Sequence, residues 1–331
     1  MHYLFLRSKL RSAYYKTKIV CSKLLNNAES VNSIKIISGE ENSDKSSNGP
    51  EMITFREITE FQKYYKTVAD RRLRIEKHLG DKYKNKPGWL FEGRCQCCEK
   101  NALFLADWQY SDGTAPNYRE RLFCNHCGLN SRQRFILHYA KNILKGRNET
   151  PKLFCYEQTT DFYRHLTKRM NNADVTGSEY LGYDKTPGEI INGIRHEDAL
   201  SLSFENGSLD IIISNDVYEH VPAVSKALHE AYRCLKKDGI LIFSVPFFMN
   251  KKTTEQRALI DNKGTTVHLL PEQYHANPVS RKGSLVYYDF GWDILNFCKE
   301  AGFRDAYIVA YYSMLYGYIG NGMQFIFCAE K

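Results

Sequence analysis

Residues 203–247 constrain the fold of this chain more than any other segment, because they contain the pattern of a complete strand, helix and strand. The segment begins with residues 209–213, a short apolar run rich in β-branched side chains, which is typical of a strand buried on both faces of a parallel sheet. Apolar and small residues at helical spacing then predict a helix that stops at Gly239. Residues 240–245 predict a second buried strand. This order of elements predicts an α/β fold.

Polar residues follow the first of these strands directly. Ser214, Asn215 and Asp216 lie where the carboxyl end of a buried parallel strand is expected. Open α/β sheets bind ligands outside the carboxyl ends of their strands. The sequence therefore predicts a ligand site at this edge, with Asn215 and Asp216 facing it.

The same segment carries a more specific pattern. The strand with its polar turn is followed by Glu219 and His220, a helix, Lys237 and Gly239 in a Lys-x-Gly sequence, and an apolar strand. In this it resembles the class I S-adenosylmethionine-dependent methyltransferases with a type 11-like domain. The resemblance implies a doubly wound Rossmann-like α/β fold with a seven-stranded sheet over residues 151–331. The alternative is another doubly wound domain.

The family resemblance places a cofactor loop after the first strand, predicted here over residues 152–156. The expected acid is present as Glu157, but the glycine-rich turn is replaced by Gln-Thr-Thr-Asp. Glycines would let backbone N–H groups approach the cofactor closely. Here Thr159, Thr160 or Asp161 would cap the next helix and offer hydroxyls to S-adenosylmethionine. The alternative is a closed loop that binds nothing.

Two further acids occupy family positions for the cofactor. Glu179 follows a strand predicted over residues 173–178, and its two carboxylate oxygens would accept both ribose hydroxyls, with Asp184 as the alternative. Asp198, after a third short strand, takes the position that receives the adenine amino group, unless it is a simple turn acid. The cofactor site implied by the resemblance consists of Glu157, Thr159, Glu179, Asp198, Asn215 and Asp216.

Three histidines are the candidate catalytic residues. Residues 247–288 form a long insertion rich in polar residues, glycine and proline, and we interpret it as a lid over the carboxyl edge of the sheet. Methyl transfer from a sulfonium needs alignment and, if the acceptor must lose a proton, a base. His268 and His275 of the lid, and His220, are the candidates because imidazole titrates near neutrality. Each has a structural or surface role as its alternative.

A metal site is predicted from the cysteines of residues 91–130. Two C-x-x-C pairs, Cys95 with Cys98 and Cys124 with Cys127, are separated by 25 residues. Zinc prefers four soft ligands in a tetrahedron, and two such turns supply four thiolates. Because four thiolates leave no position for water, the predicted zinc is structural.

The neighbouring Cys97 and His126 could each replace a cysteine of their own turn. The chain has 10 cysteines, and those outside the two pairs are scattered singly. This pattern favours metal binding over disulfides and a reducing, cytoplasmic location.

The remaining segments are simpler to divide. We predict a basic amphipathic helical extension over residues 1–37, a linker over 38–53, a helix within 54–90 and a connecting helix within 131–150. The first 27 residues contain six Lys and Arg residues and no acidic residue, and the whole chain has a formal net charge of +8. Packing of this helix on its own protein or a partner chain is favoured over contact with a membrane surface, an organellar address or nucleic acid. No apolar run is long enough for a membrane span.

Two functions follow from these features. The first is S-adenosylmethionine-dependent methyl transfer to a small or carbohydrate-like acceptor, which suits the large polar lid. The second is a non-catalytic binding or scaffold protein with a degenerate cofactor loop, whose zinc module holds a partner. Nucleic acid is not favoured as that partner because the zinc segment lacks a dense arginine and aromatic stripe. The sequence does not indicate an oligomeric state.

Overall fold

A computed structural model describes residues 49–111, 113–146, 149–277, 279–280 and 282–331. The predicted basic extension and most of the predicted linker lie outside these residues. The described chain divides into two compact units. We call residues 49–54, 61–143 and 309–325 the cysteine unit, and residues 55–60, 144–308 and 326–331 the larger unit. Each is described by itself.

The strands are numbered in chain order. They are β1 (Glu51–Phe55), β2 (Gly88–Cys95), β3 (Lys100–Asp107), β4 (Phe123–Cys124), β5 (Lys152–Cys155), β6 (Asp174–Gly177), β7 (Ile190–Ile191), β8 (Ile194–Arg195), β9 (Leu209–Asn215), β10 (Leu235–Ser244), β11 (Glu255–Gln256), β12 (Ala258–Ile260), β13 (Thr266–His268), β14 (Tyr274–His275), β15 (Ser284–Leu285), β16 (Tyr288–Asp289), β17 (Asp305–Tyr312) and β18 (Gln324–Glu330).

The helices are numbered in the same way. They are α1 (Ile58–Lys82), α2 (Tyr118–Arg121), α3 (Ser131–Leu144), α4 (Asp161–Arg169), α5 (Val224–Cys234) and α6 (Ile294–Glu300), with one 3-10 turn at Tyr218–His220. Among the described helices, none is long and apolar enough to cross a membrane.

Seven strands form the central sheet, in the spatial order β1-β17-β18-β10-β9-β5-β6. Strand β5 is parallel to β6 and β9, β9 is parallel to β10, and β10 is antiparallel to β18. The predicted doubly wound α/β fold with a seven-stranded sheet is confirmed. One edge strand of this sheet, β1, was not predicted, and it includes residues 51–53 of the predicted linker.

The third short strand of the prediction is not a strand of this sheet. Only a single parallel bridge joins Glu179 to His196. Residues 190–195 instead form a tight hairpin of β7 and β8, in which Asn192 and Gly193 have positive φ angles of 52° and 79°. A turn of this kind needs residues that tolerate the left-handed conformation, and Asn and Gly do so most readily.

The core of the larger unit surrounds β9. Its three isoleucines, Ile211, Ile212 and Ile213, are fully buried. Helix α5 contributes the apolar face predicted from its spacing, but it ends at Cys234, before the predicted stop at Gly239. The next residue, Leu235, has an extended backbone and begins β10. The register of β10 against β9 is interrupted between residues 235 and 240.

The cysteine unit is built on the β2–β3 hairpin, which is antiparallel from Gly88 opposite Asp107 to Cys95 opposite Lys100. Helix α1 occupies part of the segment predicted as helical. The rings of Tyr83 and Trp89 stack 5.2 Å apart at the base of the hairpin.

A buried arginine binds residues 309–325 to the rest of this unit through hydrogen bonds. Arg134 is fully buried and donates to four backbone carbonyls, those of Leu122, Leu129, Tyr316 and Gly317, at 2.7–3.2 Å. These charge-assisted hydrogen bonds satisfy most of a guanidinium that would otherwise be costly to bury. The segment after β17 is therefore part of the folded cysteine unit.

A buried glutamate also forms hydrogen bonds with residues of the same segment. Glu76 of α1 accepts hydrogen bonds from the backbone N–H groups of Gly320 at 2.9 Å and Gly322 at 3.2 Å. Burial raises the pKa of Glu76 from its usual value of 4.5 to about 7. The protonated form is therefore favoured in the folded state over a range in which the unfolded chain is ionised.

We expect Glu76→Gln to remove a pH dependence of stability. Because the folded pKa lies above the unfolded one, the contribution of this carboxyl is complete below about pH 4.5 and lost as the pH rises through about 7. The free energy of unfolding of the native chain should fall by on the order of 3 kcal/mol relative to the variant across that range. Urea unfolding, monitored by tryptophan fluorescence, measures the difference. Parallel pH profiles for the two proteins would contradict it.

Candidate functional site

The turn after β5 encloses the acid that follows β6. The backbone N–H groups of Gln158 and Thr159 donate to Glu179 Oε1 at 3.0 and 2.8 Å, and the Thr159 hydroxyl donates to the same oxygen at 2.7 Å. Glu179 is 6% exposed. The turn therefore presents N–H groups without glycines, and it directs them at one carboxylate oxygen.

Glu157 connects this turn to β9. Its carboxylate accepts hydrogen bonds from the Thr160 hydroxyl and from the Asn215 side-chain amide. The same Thr160 oxygen accepts from the backbone N–H of Tyr163 at 3.2 Å, so Thr160 is the cap of α4 among the three residues proposed for that role. The structure thus brings the predicted residues Glu157, Thr159, Glu179 and Asn215 to one corner.

This corner is closely packed at the end of β6. A Cβ atom added to Gly177 would lie 2.4 Å from the ring of Tyr163 and 2.7 Å from the carbonyl oxygen of Glu157. Only glycine fits there without displacing the turn that carries Glu157.

The other two predicted cofactor residues are held in turns of their own. Asp198 Oδ1 accepts a hydrogen bond from the backbone N–H of Leu200 at 2.9 Å, the arrangement expected of a turn acid. Asp216 has a positive φ of 49°, and its carboxylate accepts from the Ser244 hydroxyl at 2.9 Å. The backbone N–H of Asp216 also donates to the Ser244 carbonyl at 3.0 Å, which joins the ends of β9 and β10.

Two of the three candidate histidines meet at a buried glutamate. Glu219 Oε1 lies 3.6 Å from His220 Nε2 and 3.6 Å from His275 Nδ1. The imidazole rings are 5.1 Å apart and nearly perpendicular, at 87°. Burial raises the pKa of the Glu219 carboxyl. The third histidine, His268 on β13, lies 3.4 Å from Glu272 instead.

Glu219 was not among the site residues predicted from the sequence, although Glu219 and His220 belong to the motif that carries the family resemblance. The available signal was an acid inside an apolar turn, between Tyr218 and Val221. Its second imidazole neighbour, His275, lies 56 residues further along the chain, and no local pattern indicates that contact.

The predicted lid is more regular than its sequence suggested. Short antiparallel pairs form between β11 and β16, β12 and β13, and β14 and β15. Two hydrogen bonds tie it to the 3-10 turn, from Tyr287 N to the Glu219 carbonyl at 2.7 Å and between His220 Nδ1 and the Leu285 carbonyl at 2.8 Å. The histidine pair therefore lies where lid and turn meet.

The predicted cysteines of the cysteine unit form one cluster. Cys95 Sγ and Cys127 Sγ are 3.9 Å apart, as are Cys98 Sγ and Cys124 Sγ, and all four sulfur atoms lie within 4.8 Å of one another. A tetrahedron with zinc–sulfur distances of about 2.3 Å separates its sulfur atoms by about 3.8 Å. The cluster therefore has the dimensions of a four-thiolate zinc site.

The local hydrogen bonds of the cluster fit ionised sulfur. The backbone N–H of Cys98 donates to Cys95 Sγ, and that of His126 donates to Cys124 Sγ, each at 3.4 Å. Interaction with Cys124 lowers the pKa of the Cys95 thiol, whereas interaction with the other thiols raises the pKa of Cys127. His126 Nε2 lies 3.2 Å from the Asn101 carbonyl, and Cys97 is outside the group of four, so the described structure favours the predicted ligand set over both substitutes.

Comparison with known proteins finds a family match within the larger unit. The methyltransferase domain family matches residues 164–243, from α4 to β10, and confirms the resemblance drawn from residues 203–247. No curated protein matches this chain.

Solved structures with a similar arrangement include three methyltransferases. An S-adenosylmethionine-dependent methyltransferase from Mesorhizobium loti is 13% identical with a TM-score of 0.35, over 59% of this chain and 98% of that one. A putative one from Listeria monocytogenes is 14% identical with a TM-score of 0.34, over 60% and 98%. One from Archaeoglobus fulgidus is 12% identical with a TM-score of 0.36, over 60% and 94%.

We expect Gly177→Ala to disrupt the corner formed by Glu157 and Glu179. The added methyl overlaps the Tyr163 ring and the Glu157 carbonyl, and overpacking of this kind typically costs about 1–3 kcal/mol. Gly49→Ala is the matched control, because its methyl would meet nothing within 4 Å. Thermal unfolding compares the two. Equal midpoints for both variants would show that the turn yields without cost.

Proposed function

We propose that this chain transfers a methyl group from S-adenosylmethionine to a small or carbohydrate-like acceptor. The observation that carries the proposal is the cluster of Glu157, Thr159, Glu179 and Asn215 after the carboxyl ends of β5, β6 and β9, within a methyltransferase fold. Ligands of open α/β sheets bind at this edge.

In this proposal Glu179 holds the ribose. Three hydrogen bonds from the turn fix its Oε1, so Oε2 is the oxygen that would accept the ribose hydroxyls. Glu157, Thr159 and Asn215 would line the amino-acid end of the cofactor. Asp198 would receive the adenine amino group, and Asp216 would face the same edge from the end of β9.

The reaction would be an in-line displacement at the methyl carbon. A lone pair of the acceptor attacks this carbon as the carbon–sulfur bond breaks. The electron pair of the broken bond remains on sulfur, which gives S-adenosylhomocysteine. Alignment and exclusion of water supply most of the acceleration in such a reaction. An acceptor that must lose a proton would give it to His220 or His275, beside buried Glu219, or to His268 elsewhere in the lid.

The lid supports the choice of a small acceptor. Its short β pairs are tied to the turn that carries Glu219 and His220, beside the carboxyl edge of the sheet. Polar side chains along it suit hydroxyl-rich molecules, which explains the preference for a carbohydrate-like acceptor.

One observation favours a second candidate, a non-catalytic binding protein on the same fold. The turn of Gln158 and Thr159 directs its donors at Glu179. In a binding protein this closure would be permanent, and the cysteine unit would hold a partner. Cofactor affinity separates the two candidates.

Calorimetric titration with S-adenosylmethionine tests the first function. We expect saturable binding by the native chain and about tenfold weaker binding by Glu179→Gln, which retains one acceptor for the turn but removes the carboxylate charge from the ribose. Asp184→Asn is the control, because Asp184 is exposed and pairs with Lys185 at 2.7 Å. Absence of heat with the folded native chain would support the binding protein instead.

We also propose that the four-cysteine cluster binds a structural zinc ion. Cys95, Cys98, Cys124 and Cys127 have the spacing of a tetrahedral site and accept backbone hydrogen bonds. No ligand position remains for water in such a site, so its contribution would be to folding.

Replacing Cys124 with Ser should release this zinc and lower the thermal midpoint of the cysteine unit. Cys97→Ala is the matched control, since it removes a buried thiol of the same turn that lies outside the group of four. Elemental analysis of the purified chains measures the zinc. Native zinc content in Cys124→Ser, or loss of zinc in Cys97→Ala, would overturn the ligand set.

A further inference from the structure

Glu219 is buried without the partners that a carboxylate requires. It is fully buried, and within the described part of the chain neither of its oxygens accepts a hydrogen bond. His220 Nε2 and His275 Nδ1 each lie 3.6 Å from Glu219 Oε1, beyond the usual length of a hydrogen bond. A buried carboxylate is costly unless it is paired or coordinates a cation.

The hydrogen bond of His220 to the lid determines which of its two nitrogens carries the proton. His220 Nδ1 lies 2.8 Å from the Leu285 carbonyl, and a carbonyl can only accept, so Nδ1 carries a proton. In the neutral ring Nε2 then presents a lone pair towards Glu219. A lone pair and a carboxylate repel each other unless a proton or a metal cation lies between them.

A histidine whose second nitrogen donates to a backbone carbonyl is the usual form of a metal ligand. The carbonyl of Leu285 fixes both the tautomer and the orientation of the His220 ring. His275 Nε2 lies 3.2 Å from the side-chain amide of Gln273, and ligation through Nδ1 requires the amide orientation in which the Gln273 oxygen accepts from Nε2–H. Both rings are thus oriented by contacts outside the cluster.

The three ligand atoms also lie close enough to share one ion. One oxygen of Glu219 and one nitrogen from each of His220 and His275 lie within 4.8 Å of one another. Ligands at about 2.0–2.2 Å from a common ion are at most about 4.3 Å apart. An inward movement of a few tenths of an ångström would complete the site.

We propose that Glu219, His220 and His275 bind a divalent transition-metal ion, in a site separate from the four cysteines. Two imidazoles and one carboxylate suit zinc, iron, cobalt or manganese and leave coordination positions open. The ion would join the lid, through His275 on β14, to the 3-10 turn that follows β9.

The role of this ion in the reaction rests on the proposed methyl transfer, whereas its binding does not. An ion with open positions beside the carboxyl edge would coordinate an oxygen of the acceptor and lower the pKa of that hydroxyl. The acceptor atom would then be oxygen. His220 and His275 would act as metal ligands, and the acceptor proton would leave from the coordinated hydroxyl to solvent or a buffer base.

Cobalt(II) is the probe that distinguishes this site from the cysteine cluster. The full chain is first loaded with zinc, and zinc outside the cysteine cluster is removed by dialysis against a weak chelator. The chain is then dialysed against cobalt(II), which is measured by elemental analysis. We expect one cobalt per chain, with visible bands that lack the sulfur-to-cobalt charge transfer of a thiolate site. Glu219→Gln and His275→Ala should each bind cobalt at least tenfold more weakly.

His268→Ala is the matched control, because His268 belongs to the same lid and lies beside Glu272, outside the cluster. It should bind cobalt as the native chain does. Circular dichroism checks that each variant is folded, and His275→Ala, at a half-exposed residue, serves where Glu219→Gln does not fold.

Absence of cobalt from the zinc-loaded native chain would overturn the proposal, and so would native affinity in folded His275→Ala. The titration with S-adenosylmethionine is independent of this experiment. Cobalt binding without cofactor binding would refute the methyl transfer and leave the metal site, while cofactor binding without cobalt would refute the metal site alone.

Discussion

The parallel pairing of β9 between β5 and β10 is the constraint on which the site depends. Its isoleucines are buried on both faces, so the strand cannot shift register without moving apolar side chains into polar surroundings. This fixes the point at which the strand ends, and with it Asn215, Asp216 and the turn that carries Glu219. The polar residues at the edge of the sheet are thus positioned by the buried apolar residues of β9.

The sequence was sufficient to predict those elements whose pattern is contained within a few neighbouring residues. The buried strand β9, the apolar face of α5 and the two C-x-x-C turns were predictable because each is encoded within a few residues. The place of β1 in the sheet was not, because an edge strand is determined by its neighbour. The early end of α5 was also missed, because Leu235 keeps the apolar helical spacing of the sequence but is extended and pairs with Leu209 of β9.

The candidate site shows the same division. Glu157 and Glu179 were identified through their positions after strands, but their connections through Thr159, Thr160 and Asn215 depend on side chains that meet only in the folded chain. A threonine hydroxyl and two N–H groups here do at one carboxylate what a glycine turn does with backbone alone. The turn therefore presents backbone donors without glycines, and these donors reach Glu179 Oε1.

The four carbonyls bound by Arg134 have a consequence for the order of events in folding. Two of them, from Leu122 and Leu129, are present as soon as their own segment is made, but those of Tyr316 and Gly317 are synthesised about 180 residues later. During synthesis from the N-terminus, the Arg134 guanidinium must stay hydrated until residues 316 and 317 have been made. The cysteine unit is therefore an early segment whose buried charge is satisfied only by residues made much later.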